Sequence, residues 1–178
     1  MGDFIIRSAG ERDADAIAAI YAHHVIHGTA SYDTDPPAAD AIRAKIRWVL
    51  ESDWPFLVAE RRGEVIGYAY ATEFRDRAAY RWTAEDSIYI RADSMGQGIG
   101  KALLEELLGR SEVVGFRQMI AVIGGAAEPS VRLHAACGFR EAGRVLAAGW
   151  KHGRWLDNVY MQRSLGEGSA TPPDALKS

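Results

Sequence analysis

Residues 95–101 read Met-Gly-Gln-Gly-Ile-Gly-Lys, set between the strand-like run Asp86-Ser87-Ile88-Tyr89-Ile90 and the amphipathic segment Ala102-Leu103-Leu104-Glu105-Glu106-Leu107-Leu108. A glycine-rich turn that opens a helix leaves several backbone N–H groups unpaired and pointing outward. With the positive end of the helix dipole they make a seat for phosphate, and glycine removes the Cβ that would keep an anion away. The chain must therefore bring a strand end, a tight turn and a helix N-terminus together near its middle. A pyrophosphate cradle is the expected chemistry, with a plain turn as the competing reading on spacing alone. Two nucleotide motifs are excluded. No Gly-x-x-x-x-Gly-Lys-[Ser/Thr] occurs, so this is not a P-loop. A dinucleotide fingerprint belongs after the first strand of a βαβ unit, whereas this turn follows several strand-like segments. The position suits a different phosphate-bearing cofactor.

The flanking pattern predicts the rest of the architecture. Phe4-Ile5-Ile6 is a short apolar strand, and Asp13 is placed to cap a helix carrying Ile17, Ile20, Tyr21 and Val25 at helical spacing. Gly28 to Pro37 is a loop, and Pro36-Pro37 opens a second helix with Ile42, Ile46, Val49 and Leu50 on one stripe. Pro55 to Glu60 and Val65 to Thr72 flank Arg61-Arg62-Gly63-Glu64, a hairpin signature. Arg75 to Trp82 is a polar, aromatic loop, followed by the strand Ser87 to Ile90, the turn, and a helix to about Arg110. Met119 to Ile123 is fully apolar and predicts a buried central strand. Pro129 to Ala136 fits a short helix ended by Gly138, and strands follow around Val145 and around Asn158 to Met161. The order β, α, α, β, β, β, α, β, α, β, β predicts an α/β (α+β) domain over 1–165, a mixed sheet with helices on both faces. The Gly-, Ser-, Ala- and Pro-rich tail 166–178 is expected to be disordered.

Composition narrows the function classes. The 178 residues carry a net charge of −3 and their aromatics are not interleaved with a basic patch, so no nucleic-acid partner is expected. No apolar run approaches the roughly 20 residues of a bilayer span. The single Cys137 rules out an internal disulfide and a thiolate cluster. No secretion-signal pattern opens the chain, and a cytoplasmic location is expected. His23 and His27 have metal-ligand spacing but no evident third ligand, so no metal is expected.

With these elements in order, the chain resembles the GCN5-related N-acetyltransferases (GNAT), from about Phe4 to Leu165. Three blocks carry the likeness further, to the phosphinothricin and methionine sulfoximine acetyltransferases. They are Ala79-Tyr80-Arg81-Trp82-Thr83-Ala84-Glu85-Asp86-Ser87-Ile88-Tyr89-Ile90; Ala121-Val122-Ile123-Gly124 with Pro129-Ser130-Val131-Arg132-Leu133-His134; and Gly149-Trp150-Lys151-His152-Gly153-Arg154-Trp155-Leu156-Asp157. The resemblance implies a mostly antiparallel sheet, acetyl-CoA as cosubstrate, a homodimer with Trp150 to Trp155 near its interface, and direct transfer in a ternary complex to the α-amine of a small amino acid. Two positions depart from the pattern. Met95 stands where the family turn usually begins with Arg or Gln, and Ala127 where it often has Asn. Each removes a side-chain contact to the cofactor and leaves the backbone N–H groups.

The resemblance also assigns roles. Glu85, just before the strand, matches the family's catalytic carboxylate, a base for the amine. His134 stands where the wider family often has a Tyr that protonates the departing thiolate, and an imidazole can serve as acid or base. Arg75, Arg77 and Tyr80 would bind the acceptor, since a guanidinium fork matches a carboxylate, and Tyr32 would cover its side chain. Ile88, Tyr89 and Ile90 would run along the pantetheine arm, a backbone N–H near Ile90 polarising the thioester oxygen. Gly96, Gln97, Gly98, Ile99, Gly100 and Lys101 would hold the pyrophosphate, with Ser130 a further cofactor contact. Two alternatives stay open: a protein N-terminal or lysine acetyltransferase, against which the paired arginines count, and a non-catalytic coenzyme A sensor, against which Glu85 and His134 together count.

Overall fold

The computed structural model describes residues 3–173. Seven strands form one sheet: β1 (Ile5–Ser8), β2 (Phe56–Arg61), β3 (Glu64–Glu73), β4 (Thr83–Ile90), β5 (Gln118–Gly124), β6 (Arg140–Lys151) and β7 (Arg154–Ser164), in the order β1-β2-β3-β4-β5-β7-β6. Every neighbouring pair is antiparallel except β4 and β5. Helices α1 (Ala14–His27) and α2 (Ala39–Glu51) cover one face; α3 (Ile99–Val113) and α4 (Glu128–Ala136) cover the other.

Strand alternation separates two cores. On the α1/α2 face, Phe56, Val58 and Tyr68 pack with Ile17, Ile46 and Val49. On the other face, Leu57, Ala69 and Ala71 pack with Leu103, Leu104 and Leu107. The small Ala69 and Ala71 leave room for the α3 leucines, each of which is worth about 1.5–3 kcal/mol on burial. The β2–β3 and β6–β7 connections turn through Arg62-Gly63 (φ 52° and 83°) and His152-Gly153 (φ 50° and 72°). Paired positive φ values are what a two-residue hairpin requires.

Several sequence expectations shift. β4 begins at Thr83, so Glu85 lies inside the strand rather than before it. Asp13 precedes α1 without capping it by its side chain. Its carboxylate accepts instead from Arg7 (2.8 Å) and from the Gly10 amide (2.9 Å). Past β7, Arg117 donates to the carbonyls of Gly168 and Thr171, both at 3.1 Å. Residues 174–178 of the expected tail lie outside the described residues. No helix among the described residues is long and apolar enough to cross a membrane.

Candidate active site

The parallel pairing of β4 with β5 runs only from Thr83–Gln118 to Asp86–Ala121. Beyond it β4 continues to Ile90 against β3, and β5 continues to Gly124 against β7. The strands therefore diverge, and alternate backbone groups of Ser87 to Ile90 face a gap instead of a neighbouring strand. A cleft of about 280 Å³ occupies this divergence, and Glu85, Ile88, Tyr89, Tyr32, Ser130 and His134 all line it.

Glu85 and His134 approach the cleft from opposite faces. Glu85 pairs with Thr72, and Ser87 with Tyr70, on the α1/α2 face. The next residue, Asp86, must point the other way, toward α4. The Glu85 side chain is 34% exposed, and Arg75 Nη1 lies 3.8 Å from its Oε2. Burial pushes its carboxyl above the usual range; Arg75 opposes this, the Asp86 charge adds to it and Lys45 opposes it, leaving a net rise.

Asp86 is the neighbour of Glu85 that sequence reasoning did not single out. It is buried, and its Oδ2 lies 3.0 Å from Nε2 of the buried His134. The His134 Nδ1 is 2.8 Å from the Ser130 carbonyl, which can only accept, so Nδ1 carries a proton. The Asp86 oxygen at Nε2 favours a proton there too, and with it the charged ring. Burial works against that charge, but the Asp86 bond and charge, with the Ser130 carbonyl, outweigh it and raise the ring above its ordinary value. Asp86 Oδ1 is buried with no hydrogen-bond partner, an orphan acceptor beside the cleft. His24 was also missed: half-buried beside Tyr89, it donates from Nε2 to the Ile90 carbonyl at 2.8 Å. Burial lowers its proton affinity and keeps it neutral.

Tyr32 sits at the cleft because glycines clear a place for it. A Cβ on Gly149 would overlap its ring, and one on Gly124 would come within 3.1 Å. Its hydroxyl donates to Asn158 Oδ1 at 2.7 Å. Lys151, buried in β6, donates to the Ser31 carbonyl at 2.7 Å and ties the same loop to the hairpin.

The glycine turn lies past the end of β4. Gly96 and Gly98 have φ of 74° and 80°, and a Cβ on either would stand in open space. Gly100, in the first turn of α3, lies against Leu133 of α4 and Ile90 of β4. The side chain of Gln97 does not replace the residue that Met95 lacks. It accepts from Arg61 (2.9 Å) and donates to the Asp93 carbonyl (3.1 Å), so only its backbone is available. Lys101 is half exposed, 3.7 Å from Glu105. Ala127 occupies the N-cap of α4 with no side-chain cap.

Of the expected acceptor residues, Tyr32 lines the cleft, whereas Arg75, Arg77 and Tyr80, on the loop before β4, do not; Arg75 alone of these three pairs with Glu85, at 3.8 Å, and Tyr80 packs edge-on against Phe74. His23 and His27 lie 4.8 Å apart between ring centroids, and no third ligand joins them among the described residues.

Comparison with known proteins agrees with this geometry. A family model described as acetyltransferase (GNAT) domain matches residues 6–160. The chain is 49% identical to a phosphinothricin N-acetyltransferase of Alcaligenes faecalis, over 95% of this chain and 86% of that one. It is 36% identical to an L-methionine sulfoximine/L-methionine sulfone acetyltransferase of Pseudomonas aeruginosa, over 94% and 98%. The crystal structure of a GNAT-superfamily phosphinothricin acetyltransferase from Sinorhizobium meliloti, in complex with AcCoA, superposes with a TM-score of 0.96 at 48% identity, over 98% of this chain and 95% of that one. A strand divergence beside a glycine turn, a match across most of the chain and identities of this size have one explanation: the chain belongs to the GNAT acetyltransferase family.

Proposed function

We propose that the protein transfers the acetyl group of acetyl-CoA to the α-amine of a small amino acid, directly and in a ternary complex. Phosphinothricin, methionine sulfoximine and methionine sulfone are the acceptors to expect. The observation that carries this reading is Glu85, a carboxyl of raised proton affinity at the point where β4 and β5 diverge. The residues fit the cosubstrate. Gly96 and Gly98 hold positive φ with open space where a Cβ would stand, which leaves room for phosphate oxygens against backbone N–H groups. The backbone of Gly96 to Gly100 and the Lys101 ammonium would hold the pyrophosphate. The gap-facing edge of Ile88 to Ile90, with Ser130, would hold the pantetheine arm.

Acetyl-CoA supplies an acetyl group activated as a thioester. Glu85 takes one proton from the acceptor's ammonium, freeing the lone pair that forms the C–N bond. As the C–S bond breaks, its electron pair stays on sulfur, and the second proton, which the newly acylated nitrogen sheds, balances the one the thiolate takes up. His134, with its two N–H groups held by Asp86 and the Ser130 carbonyl, offers the counter-charge from the opposite face. Because both its nitrogens already donate, the base is Glu85. Arg75 offers its guanidinium to the acceptor's carboxylate. The reading includes a homodimer through the β6–β7 hairpin, where Trp150 and Trp155 pack on each other yet remain 59% and 62% exposed.

A thiol-release assay tests the reading. Release is expected with the three free amino acids and not with peptides that lack a free carboxylate beside the amine. Release with peptides alone would overturn it in favour of a protein acetyltransferase.

A further inference from the structure

A second cavity, of about 220 Å³, adjoins the cleft on the α1/α2 face, between α1, α2 and the sheet. The two share Tyr21, Asp33 and Tyr70. Most of the second cavity's wall is apolar, with Phe56, Tyr68 and Ile42 prominent. Two charged side chains line it, and they are not equivalent. The Asp33 carboxylate already accepts from the Tyr21 hydroxyl at 2.7 Å. Lys45 of α2 donates to the Tyr70 hydroxyl at 2.5 Å and lies 4.4 Å from that ring's centroid, but forms no ion pair with an acid among the described residues. A partly buried ammonium bonded to a neutral phenol has lost hydration, and although the Glu85 charge acts on it and Asp33 lines the same cavity, neither carboxylate reaches it as an ion pair, so a direct anion contact is favoured.

The cavity lies on the same face as Glu85 and next to it, because Tyr70 pairs with Ser87 and Thr72 with Glu85. An amino acid with its amine at Glu85 and its carboxylate at Arg75 has one substituent left to place. We infer that this second cavity is the subsite for the acceptor's side chain, and that Lys45 selects acceptors ending in an anionic tetrahedral group over neutral ones of the same shape. The methylenes would lie against Phe56 and Tyr68, and an anionic oxygen would meet the Lys45 ammonium. The inference rests on the acceptor class proposed above.

Phosphinothricin and methionine sulfone separate charge from shape. Their side chains share the skeleton of two methylenes and a tetrahedral centre bearing two oxygens and a methyl. The phosphinate is anionic and the sulfone neutral. Lys45→Met should lower kcat/KM for phosphinothricin about 10- to 100-fold, the range for a lost hydrogen bond to a charged group. The loss for methionine sulfone should be under about threefold on the same scale. Lys45→Gln, which can still bond the Tyr70 hydroxyl, should behave like Lys45→Met, and Lys45→Arg should keep the preference. Equal losses for the two acceptors, or no loss for either, in an otherwise active enzyme would overturn the subsite alone. If the wild type acetylates neither, the acceptor class fails and the subsite with it.

Discussion

Replacing Asp86 by Asn would isolate the charge that holds His134. In the wild type the ring donates from Nδ1 to the Ser130 carbonyl (2.8 Å) and from Nε2 to the Asp86 carboxylate (3.0 Å). With Asn at 86 the side-chain NH₂ can donate to Nε2, and a neutral ring leaves neither nitrogen orphaned. The substitution therefore exchanges a charge-assisted bond for a neutral one inside the same shape. Charged bonds contribute about 1.5–3 kcal/mol and neutral ones about 0.5–1.5, so the loss should be about 1–2 kcal/mol. The sign with pH follows from His134, whose proton affinity is raised on folding from an ordinary 6.5. Its contribution is complete below that ordinary value and drains away as pH rises through the higher folded one. Urea unfolding should show the full gap between wild type and Asp86→Asn near pH 6, closing or reversing once the pH has passed the raised folded-state value. In NMR titrations the wild-type His134 ring should titrate above the ordinary histidine value, and the variant's well below the wild type's, because only the Ser130 carbonyl then opposes burial. A gap of the same size on both sides of that folded-state value, or a wild-type ring that titrates low, would refute the imidazolium.

Four other outcomes follow. Glu85→Gln keeps the shape and removes the base, so kcat at neutral pH should fall about 10²–10⁴-fold with coenzyme A affinity unchanged and partial recovery at high pH; near-full activity at pH 7 would refute this. Because burial raises the Glu85 carboxyl, its ionisation opposes folding above the ordinary glutamate value, and the same variant should be more stable than wild type at neutral pH by thermal unfolding. Gly98→Val sets a β-branched residue at φ 80° and puts a side chain where phosphate would approach, so calorimetry should show coenzyme A binding weaker by about 2 kcal/mol or more. Light scattering at micromolar concentration should give the mass of a dimer.

Much of the fold was legible because its signals are local. The apolar stripes of α1 and α2, the apolar run of β5 and the hairpin turn at Arg62-Gly63 each follow from a few adjacent residues. The errors fall where tertiary contacts set the boundary. Thr83 to Asp86 reads as a polar loop end, yet it forms strand because β3 and β5 flank it. Asp13 reads as a cap, yet Arg7, six residues earlier on β1, claims its carboxylate.

The site was legible only in part, and the boundary of β4 explains why. Starting the strand at Ser87 leaves Glu85 and Asp86 with no assigned direction. Starting it at Thr83 sends them to opposite faces, Glu85 toward the acceptor side and Asp86 into the core with Ile88. A buried carboxylate needs a cation or a set of donors, and the partner that meets it, His134, is 48 positions away. No spacing rule connects the two; the packing of α4 on the sheet does. The same limit hid Lys45. On a helical wheel it borders the stripe of Ile42, Ile46 and Val49 and passes for a solvated charge, whereas the stacked Phe56, Tyr68 and Tyr70 turn that border into the wall of a cavity. Short-range pattern thus reached the glycine turn and the strand beside it. His134 and Lys45 come from helices that only the fold brings to that strand.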